Sequence, residues 1–501
     1  MKARFCLSVA LLCLWSAGSA LGNVHDTFGV GARSIAMGNA QVASIVGGGA
    51  AYYNPAALGR SKRVQLEIGY QNFMPRFADF QGIVYDANQN GVIDVDENGN
   101  PETTSVGTQY AASMGTGINV AIPVFRWITL GASIYMPKQY LMRLSFEDPY
   151  IPYYALYKNR TQRFSMFMGM GIEVFDGLFF GLGASSSAQT AINGAFTAHV
   201  EVNANPLDEE GNAMPTQVVV DANVDRMTVA MMGSTSLNAG VLFNFGWIAD
   251  ELAGLNIGAV YRSQTFVRAT SEIEAMAYGE FSLTNETLYS GPLMVEPVFN
   301  STTSESSFNP ASFACGISYA LRERITMEAD VVWTQWSTYR ETFISSTQTS
   351  SSSSADVTIQ IGRDFTGDPG LTWHDTLAPH IGFEYKGGMP RRRELGFGFS
   401  LRGGYAYSPT PVPEQTAYAN MMDSTKHILS GGIGFRIPLS RIPNPLRVDL
   451  FASYHLLTPR TNQKDPSFFE DGTYPPGYPV SGSITSEGGV AGFGASAGLT
   501  F

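Results

Sequence analysis

The C-terminal stretch Val490–Phe501, VAGFGASAGLTF, alternates between two kinds of side chain. Its odd-numbered positions, from Ala491 to Phe501, are all apolar, whereas the even-numbered positions from Gly492 to Thr500 are small or hydroxylated. Successive side chains of a β-strand point to opposite faces of the sheet. The stretch therefore predicts a strand with one apolar face and one small, polar face.

Three further segments show the same alternation. Leu446–Leu456 has apolar even-numbered positions, and Phe451 is the one exception among its polar odd-numbered ones. Ile325–Thr334 and Val64–Gln71 repeat the pattern, apart from Val332 in the first of them. A soluble antiparallel sheet also alternates in this way, with its apolar face turned inward. Periodicity thus predicts antiparallel strands and leaves open which face meets which solvent.

The composition favours a sheet that faces lipid. Charged residues make up 15% of the chain, against about 25% in an ordinary soluble domain. The strand-like segments are joined by alternately short and long connections, an asymmetry that is typical of outer-membrane barrels and places the long ones outside the cell. We therefore predict an all-β fold, a transmembrane antiparallel β-barrel. Aromatic residues at strand ends fit the girdles of such barrels: Trp127, Tyr135, Trp333, Trp336, Tyr405 and Tyr407.

The first residues have the pattern of a secretory signal. Lys2 and Arg4 precede an apolar run that ends at Trp15, and small residues follow as far as Gly22. We interpret residues 1–22 as a signal peptide; the alternative is a membrane anchor, but the run is shorter than the ~20 residues of a spanning helix. Removing this segment leaves Cys315 as the only cysteine and takes the net charge from −12 to −14. Such acidity argues against nucleic acid as a partner.

Residues 86–97, DANQNGVIDVDE, match the twelve-residue calcium loop at every ligand position. Gly91 takes the place of the sharp turn, and no helices are predicted on either side. The sequence predicts a Ca²⁺ site in the first extracellular loop, and the alternative is a polar turn without metal. The ligands would be Asp86, Asn88, Asn90, Val92 through its carbonyl group, Asp94 and Glu97.

Little in the sequence indicates catalysis. Gly494-Ala495-Ser496-Ala497-Gly498 fits the Gly-x-Ser-x-Gly pattern, but that motif needs a turn from a strand into a helix. Here the strand alternation continues to the end of the chain. The six histidines are scattered without the spacing of a zinc site. We predict no enzyme activity and no catalytic residues, with an outer-membrane lipase or deacylase as the alternative.

The chain before residue 61 is rich in Gly and Ala and lacks clean alternation, so we interpret it as an element inside the barrel. Gly29–Ala40 (GVGARSIAMGNA) and Ala50–Leu58 (AAYYNPAAL) resemble the N-terminal hatch of the FadL/TodX family. Members of this family are outer-membrane transporters of long-chain fatty acids and aromatic hydrocarbons. The resemblance extends over nearly the whole mature chain, in the family's order, through Leu255–Ser263, Asn309–Ser312, Asp330–Ser337 and Leu401–Pro413.

The resemblance implies a specific architecture and route. It implies a barrel of about 14 strands, formed by residues 61–501, whose lumen is plugged by a hatch at residues 23–60. A kink in the third strand would open a lateral gap, through which ligand leaves into the membrane as the hatch shifts. Asn54, Pro55 and Ala56 match the family's Asn-Pro-Ala hatch motif, which we assign to gating. Pro137 is the candidate for the strand break, since proline removes a ladder donor; alternatively it ends the strand at the rim.

The segment from Phe146 to Tyr157, FEDPYIPYYALY, is unusually apolar for an extracellular loop. Exposed apolar patches mark interaction sites, so we predict that this segment captures ligand; interfacial anchoring of the loop is the alternative. The capture residues would be Phe146, Tyr150, Ile151, Tyr153, Tyr154, Leu156 and Tyr157. On the lumenal face, Arg262, Arg402 and Arg447 would hold a ligand carboxylate or else pair with lumenal acids: Glu328, Asp330, Glu384 and Asp449.

Two functions follow from these patterns. The first is uptake of long-chain fatty acids or other hydrophobic small molecules by ligand-gated passive diffusion. The second is a non-transport barrel for adhesion or envelope structure, with a calcium-stabilised loop. The expected partners are the hydrophobic ligand, outer-membrane lipid and lipopolysaccharide, and the barrel-assembly machinery, which reads a terminal aromatic residue such as Phe501. We expect a monomer that requires no cofactor beyond the possible Ca²⁺.

Overall fold

The computed structural model describes most of the mature chain. The described residues are 24–84, 95–138, 151–157, 164–187, 190–204, 216–233, 235–265, 267–283, 286–293, 309–339, 346–351, 356–361, 372–388, 397–439, 442–465, 467 and 478–501. The predicted signal peptide at residues 1–22 lies outside this part of the chain.

Fourteen antiparallel strands close into a barrel, because the first strand pairs both with the second and with the last. This confirms the predicted barrel of about 14 strands. In chain order the strands are β1 (Gln65–Phe77), β2 (Ser113–Phe125), β3 (Ile128–Pro137), β4 (Ser165–Phe175), β5 (Leu178–Ser187), β6 (Ser236–Asn244), β7 (Leu255–Arg262), β8 (Ser312–Leu321), β9 (Ile325–Thr334), β10 (Thr376–Gly387), β11 (Gly398–Ser408), β12 (Lys426–Leu439), β13 (Ile442–Gln463) and β14 (Ser483–Thr500).

The connections at the two ends of the barrel differ in length. At one end, which we call the short-turn end, strands follow each other after a few residues, as at 126–127 and 322–324. At the opposite, long-loop end, the connections carry further strands. These are Phe80–Val84 paired with Thr103–Val106, a sheet of Thr190–Ala204, Thr216–Gly233, Val267–Leu283 and Glu286–Leu293, the pair Ser346–Ser351 and Asp356–Ile361, and the parallel pair Tyr153–Tyr154 and Met421–Met422.

The barrel wall turns its apolar face outward. Leu182 and Leu237 are 63% and 66% exposed, whereas the lumenal Asp330 and Glu384 are 2% and 1% exposed. A soluble sheet would bury the leucines and expose the acids. The alternation seen in the sequence therefore belongs to a wall between lipid and a polar interior, as the membrane-barrel interpretation predicts.

Residues 24–60 form a compact hatch inside the lumen. It contains three short α-helices, α1 (Val24–Phe28), α2 (Ala32–Ala36) and α3 (Ala50–Tyr53), and a 3-10 helix at Pro55–Arg60. Other 3-10 turns occupy Phe245–Trp247, Asp250–Leu252 and Trp336–Thr338. No described helix combines the length and apolar character needed to cross a membrane.

Glycines in the wall let the hatch backbone approach closely. A Cβ atom at Gly181 of β5 would lie 2.1 Å from the Ala56 nitrogen, and one at Gly404 of β11 would lie 2.0 Å from the Gly38 nitrogen. No real side chain tolerates such distances, so the hatch is seated against bare backbone on opposite sides of the barrel. The plug predicted from the family resemblance is therefore in contact with the wall around its circumference.

Candidate functional site

The Asn54-Pro55-Ala56 motif joins the hatch to the wall. Asn54 caps the 3-10 helix, since its Oδ1 accepts from the Ala56 nitrogen at 3.1 Å, and Pro55 follows at the first helical position. Its Nδ2 donates to the carbonyl of Val42 in the hatch at 3.0 Å and to that of Val241 in β6 at 3.2 Å. The side chain is fully buried. One asparagine thus ties two parts of the hatch to the barrel.

A second attachment comes from two acidic residues of β9. The Asp330 carboxylate accepts from the backbone nitrogens of Gln41 and Val42 at 2.6 and 2.9 Å. The Glu328 carboxylate accepts from those of Ala43 and Ser44 at 2.7 and 3.0 Å. The sequence placed these acids in the lumen as partners for arginine, whereas the structure places hatch amides against them.

A cavity of about 250 Å³ lies above the hatch, toward the long-loop end, and we call it the upper cavity. Its floor is formed by the hatch, its sides by wall residues, and its roof by the loop around Leu156 and Tyr157. The lining mixes aromatic and aliphatic groups with many hydroxyls. Residues that define its shape are His25, Tyr52, Tyr157, Phe167, Ala378 and His455.

Both cations that line the upper cavity are already bonded. Arg262 donates through Nη2 to the Tyr52 carbonyl at 2.6 Å and to the Tyr53 carbonyl at 3.3 Å. Its guanidinium carbon also stands 4.4 Å from the centre of the Tyr52 ring. Lys426 Nζ lies 3.0 and 3.1 Å from the two carboxylate oxygens of Asp423. The donors that make these bonds, Arg262 Nε and Nη2 and Lys426 Nζ, are thus shared with acceptors of the protein itself.

His25 closes the hatch side of the same cavity as a neutral group. Its Nδ1 lies 2.9 Å from the Ser165 hydroxyl, and its ring packs on Phe167 at 4.9 Å between centroids. Burial, reinforced by the nearby charge of Arg262, lowers the pKa of His25 to about 3. His25 therefore adds no positive charge to the cavity at neutral pH.

The described part of the predicted capture segment is not an exposed patch. Tyr153, Tyr154 and Tyr157 are 4%, 0% and 3% exposed, and Ile151 and Leu156 are partly buried. Tyr154 stacks on Phe77 of β1 at 4.1 Å between ring centroids. Tyr153 and Tyr154 also pair with Met421 and Met422 of another loop, which the sequence did not reveal. The segment thus roofs the upper cavity, and Phe146 and Tyr150 lie outside the described residues.

Pro137 is the last residue of β3, which is the third strand of the barrel. It pairs with Gly115 of β2. On its other side, the last described pair with β4 is that of Tyr135 and Ser165, and residues 158–163, which precede β4, lie outside the described part of the chain. Pro137 is thus the last residue of β3, separated by one residue from a segment outside the described residues, and both the strand break and the end at the rim stay predictions. A lateral opening beside it remains a prediction.

Most of the predicted calcium loop falls outside the described residues: Asp86, Asn88, Asn90, Val92 and Asp94. Glu97 is described and lies in a turn, beside Asp96, whose carboxylate accepts from the backbone nitrogens of Asn98 and Asn100 at 2.8 Å each. Among the residues that the structure describes, no three His, Cys, Asp or Glu side chains come together to hold a metal ion.

A second cavity, of about 180 Å³, lies below the hatch toward the short-turn end, and we call it the lower cavity. Glu384 of β10 stands at its centre and accepts from Arg33 Nη2 at 2.9 Å and from Arg402 Nε at 2.8 Å. Lys386 Nζ approaches the same carboxylate at 3.5 Å, and Arg402 also bonds Asp449 at 2.7 Å. Arg33 was not among the predicted site residues, although it is the only charged residue between Asp26 and Arg60.

Comparison with known proteins agrees with this architecture. Residues 11–497 match the family model described as outer membrane protein transport protein (OMPP1/FadL/TodX). Alkane uptake protein A of Marinobacter nauticus is 22% identical over 457 residues, or 88% of this chain and 85% of that protein. A Pseudomonas aeruginosa FadL homologue of known structure is 14% identical, with a TM-score of 0.49 over 97% of this chain and 100% of that one. The Pseudomonas putida toluene transporter TodX is also 14% identical, with a TM-score of 0.46 over 95% and 99% of the two chains. The chain therefore belongs to the OMPP1/FadL/TodX family of outer-membrane transport proteins for hydrophobic compounds, and it resides in the outer membrane of a Gram-negative bacterium.

Proposed function

We propose that this protein takes up small hydrophobic molecules by passive diffusion through the upper cavity, gated by ligand and by the hatch. The observation that carries the proposal is the partly apolar cavity enclosed between a seated hatch and an aromatic roof. A plugged lumen prevents free flow of water, while the cavity offers a ligand both apolar contact and a few polar groups. We propose that the protein works as a monomer surrounded by lipid and lipopolysaccharide, without enzymatic activity.

The charges around the cavity favour an uncharged ligand over a fatty carboxylate. Arg262 and Lys426 are committed to protein partners, and His25 is neutral. A dry engineered cavity of about 150 Å³ holds benzene, so 250 Å³ accommodates a substituted aromatic ring or a flexible alkyl chain. The name of the Marinobacter relative, an alkane uptake protein, is in line with such a ligand.

We further propose that ligand leaves sideways into the membrane beside β3. The support is local: Pro137, which has no N–H group to donate to a ladder, is the last residue of β3. Met136, directly before it, is 44% exposed and apolar. A ligand that leaves here enters lipid directly, without crossing an aqueous compartment.

Uptake by cells that lack the chromosomal copy tests the transport proposal. Cells are given labelled toluene, an n-alkane or oleate, and the gene is restored as parent or variant. We expect Ala378→Phe, which fills the upper cavity, to remove most of the uptake that the parent restores. Ala497→Phe on the lipid-facing side of β14 is the matched control and should transport normally. If the parent restores uptake of none of these compounds, the alternative of an adhesive or structural barrel is favoured.

A further inference from the structure

One turn of the hatch separates the two cavities. Val42 lines the upper cavity and Ser44, two residues later, lines the lower one. We call residues Gln41–Ser44 the barrier turn. Both cavities adjoin the same piece of backbone, so the partition between them at this point is a single turn thick.

The backbone N–H groups of the barrier turn all bond to the barrel wall. All four of its backbone N–H groups donate to carboxylates of β9, two to Asp330 and two to Glu328. The two acids are two positions apart on one strand, so both face the lumen. Each uses a single oxygen for its two bonds. In the described part of the chain, the remaining oxygens, Glu328 Oε2 and Asp330 Oδ1, are buried and accept no hydrogen bond.

Two backbone carbonyls of the barrier turn accept hydrogen bonds from side chains of the hatch itself. Asn54 Nδ2 donates to the Val42 carbonyl at 3.0 Å, and Arg60 Nη1 donates to the Ala43 carbonyl at 3.1 Å. The turn contributes only small or medium side chains to packing. Its position therefore depends strongly on these polar bonds, of which the wall provides four and the hatch two.

Glycines flank the barrier turn on both sides. Gly38 has a φ of 66° and Gly47 a φ of 80°, and residues other than glycine rarely adopt such angles. Neither glycine carries a side chain that would oppose a change of backbone angle. These two positions can therefore accept the change of backbone angle that a moving turn needs, while Gly38 stays bonded to Ser430 and His380 of the wall.

We propose that Glu328 and Asp330 form a latch that holds the barrier turn closed, and that releasing the latch joins the upper and lower cavities into one path through the barrel. The two acids act as positioning residues, because they touch the hatch and line neither cavity. The latch sets how often the lumen opens along its axis, whatever ligand the protein carries.

Ion conductance of the purified protein in planar lipid bilayers tests the latch. The variant Glu328→Gln/Asp330→Asn keeps the shape of both side chains and replaces one oxygen of each by an NH₂ group, which cannot accept a hydrogen bond. Loss of one buried hydrogen bond shifts an equilibrium by about tenfold or more, so we expect at least about a tenfold rise in mean conductance over the parent. Glu67→Gln is the matched control, since this lumenal carboxylate bonds the wall residues Arg447 and Asn119. It should behave as the parent does.

A thiol placed in the barrier turn provides a second readout. Ser44→Cys is introduced in a Cys315→Ser background and treated with a water-soluble maleimide. Ser44 is 8% exposed, so we expect slow labelling with the latch intact and at least a tenfold faster reaction in the latch variant. Migration of unheated samples on gels confirms that each barrel is folded. The proposal is overturned if conductance stays at the parent level, if Glu67→Gln raises it equally, or if it rises without faster labelling. None of these results depends on uptake of a hydrocarbon, so the latch and the proposed function can fail separately.

Discussion

The role of a lumenal cation depends on the groups that surround it, as three residues illustrate: Arg262, Arg402 and Lys426. As lumenal cations they have the chemistry to bind a fatty carboxylate. In the folded protein Arg262 holds hatch carbonyls, while Arg402 is bonded to Glu384 and Lys426 to Asp423. Breaking such buried bonds leaves polar groups unpaired at a cost of about 1–3 kcal/mol each. The residues thus stabilise a closed interior.

The titration of His25 predicts how the stability of the protein depends on pH. Its pKa is about 3 in the folded protein and 6.5 in a model peptide, so the unfolded chain binds an extra proton between these values. The contribution of neutral His25 to stability is complete above pH 6.5 and is lost as the pH falls toward 3, by up to about 1.4 kcal/mol per unit. Urea unfolding in detergent at pH 7.5 and 5.5 measures this. His25→Gln should lose clearly less stability on acidification than the parent, and equal losses would contradict the assignment.

At the scale of elements, the strands and their closure into a barrel were predictable, whereas the contacts between distant segments inside the barrel were not. The alternation in β9 and β14 is a local property, and it is reproduced by the outward apolar face of the wall. The roof of the upper cavity depends on the pairing of Tyr153-Tyr154 with Met421-Met422. The lower cavity depends on the ion pair of Arg33 with Glu384. These partners are hundreds of residues apart, so no local pattern brings them together. The sequence did contain one signal for Arg33, because it is a single charged residue in an otherwise uncharged part of the hatch.

Wall glycines that contact the hatch should tolerate substitution by alanine less well than wall glycines that do not. At Gly181 a Cβ would collide with the hatch backbone at Ala56, whereas at Gly403 nothing lies within 4 Å. We expect Gly181→Ala to destabilise the folded barrel by about 1–3 kcal/mol through overpacking. Gly403→Ala should be neutral or slightly stabilising, since alanine loses less backbone entropy on folding. Thermal unfolding followed by gel migration compares the two, and equal midpoints would mean that the hatch is not held at this seat.

The next prediction concerns Ca²⁺ binding by the first long loop. We propose that residues 86–97 bind Ca²⁺, on the strength of the full match of Asp86 to Glu97 to the ligand positions. Calorimetry should detect binding with a Kd of about 10⁻⁴ to 10⁻³ M, the range of extracellular sites. Glu97→Ala, which removes the bidentate ligand, should abolish the heat, while Glu102→Ala outside the loop should not. Absence of a calcium-dependent signal in the parent would refute the site.

At the scale of the whole molecule, the hatch divides one lumen into two cavities with different surroundings. The upper cavity is roofed by Leu156 and Tyr157 and is bounded by hatch and wall residues. The lower cavity is lined by Arg33, Arg402, Lys386 and other charged groups around Glu384, which suits water better than hydrocarbon. An apolar ligand in the upper cavity thus meets a polar, charged compartment if it continues along the axis, and lipid if it turns sideways.

This division predicts that ion flow and hydrocarbon uptake respond differently to the same change. Releasing the latch with Glu328→Gln/Asp330→Asn should raise ion conductance, because ions follow the axial path through the lower cavity. Toluene uptake by cells carrying this variant should match the parent, because on the proposed lateral route the ligand leaves beside Pro137, above the barrier turn. Replacing Pro137 by threonine restores a ladder donor and should have the opposite effect, with lower uptake and unchanged conductance. If toluene uptake instead rises in step with conductance, the ligand crosses the hatch along the barrel axis and the lateral route is wrong.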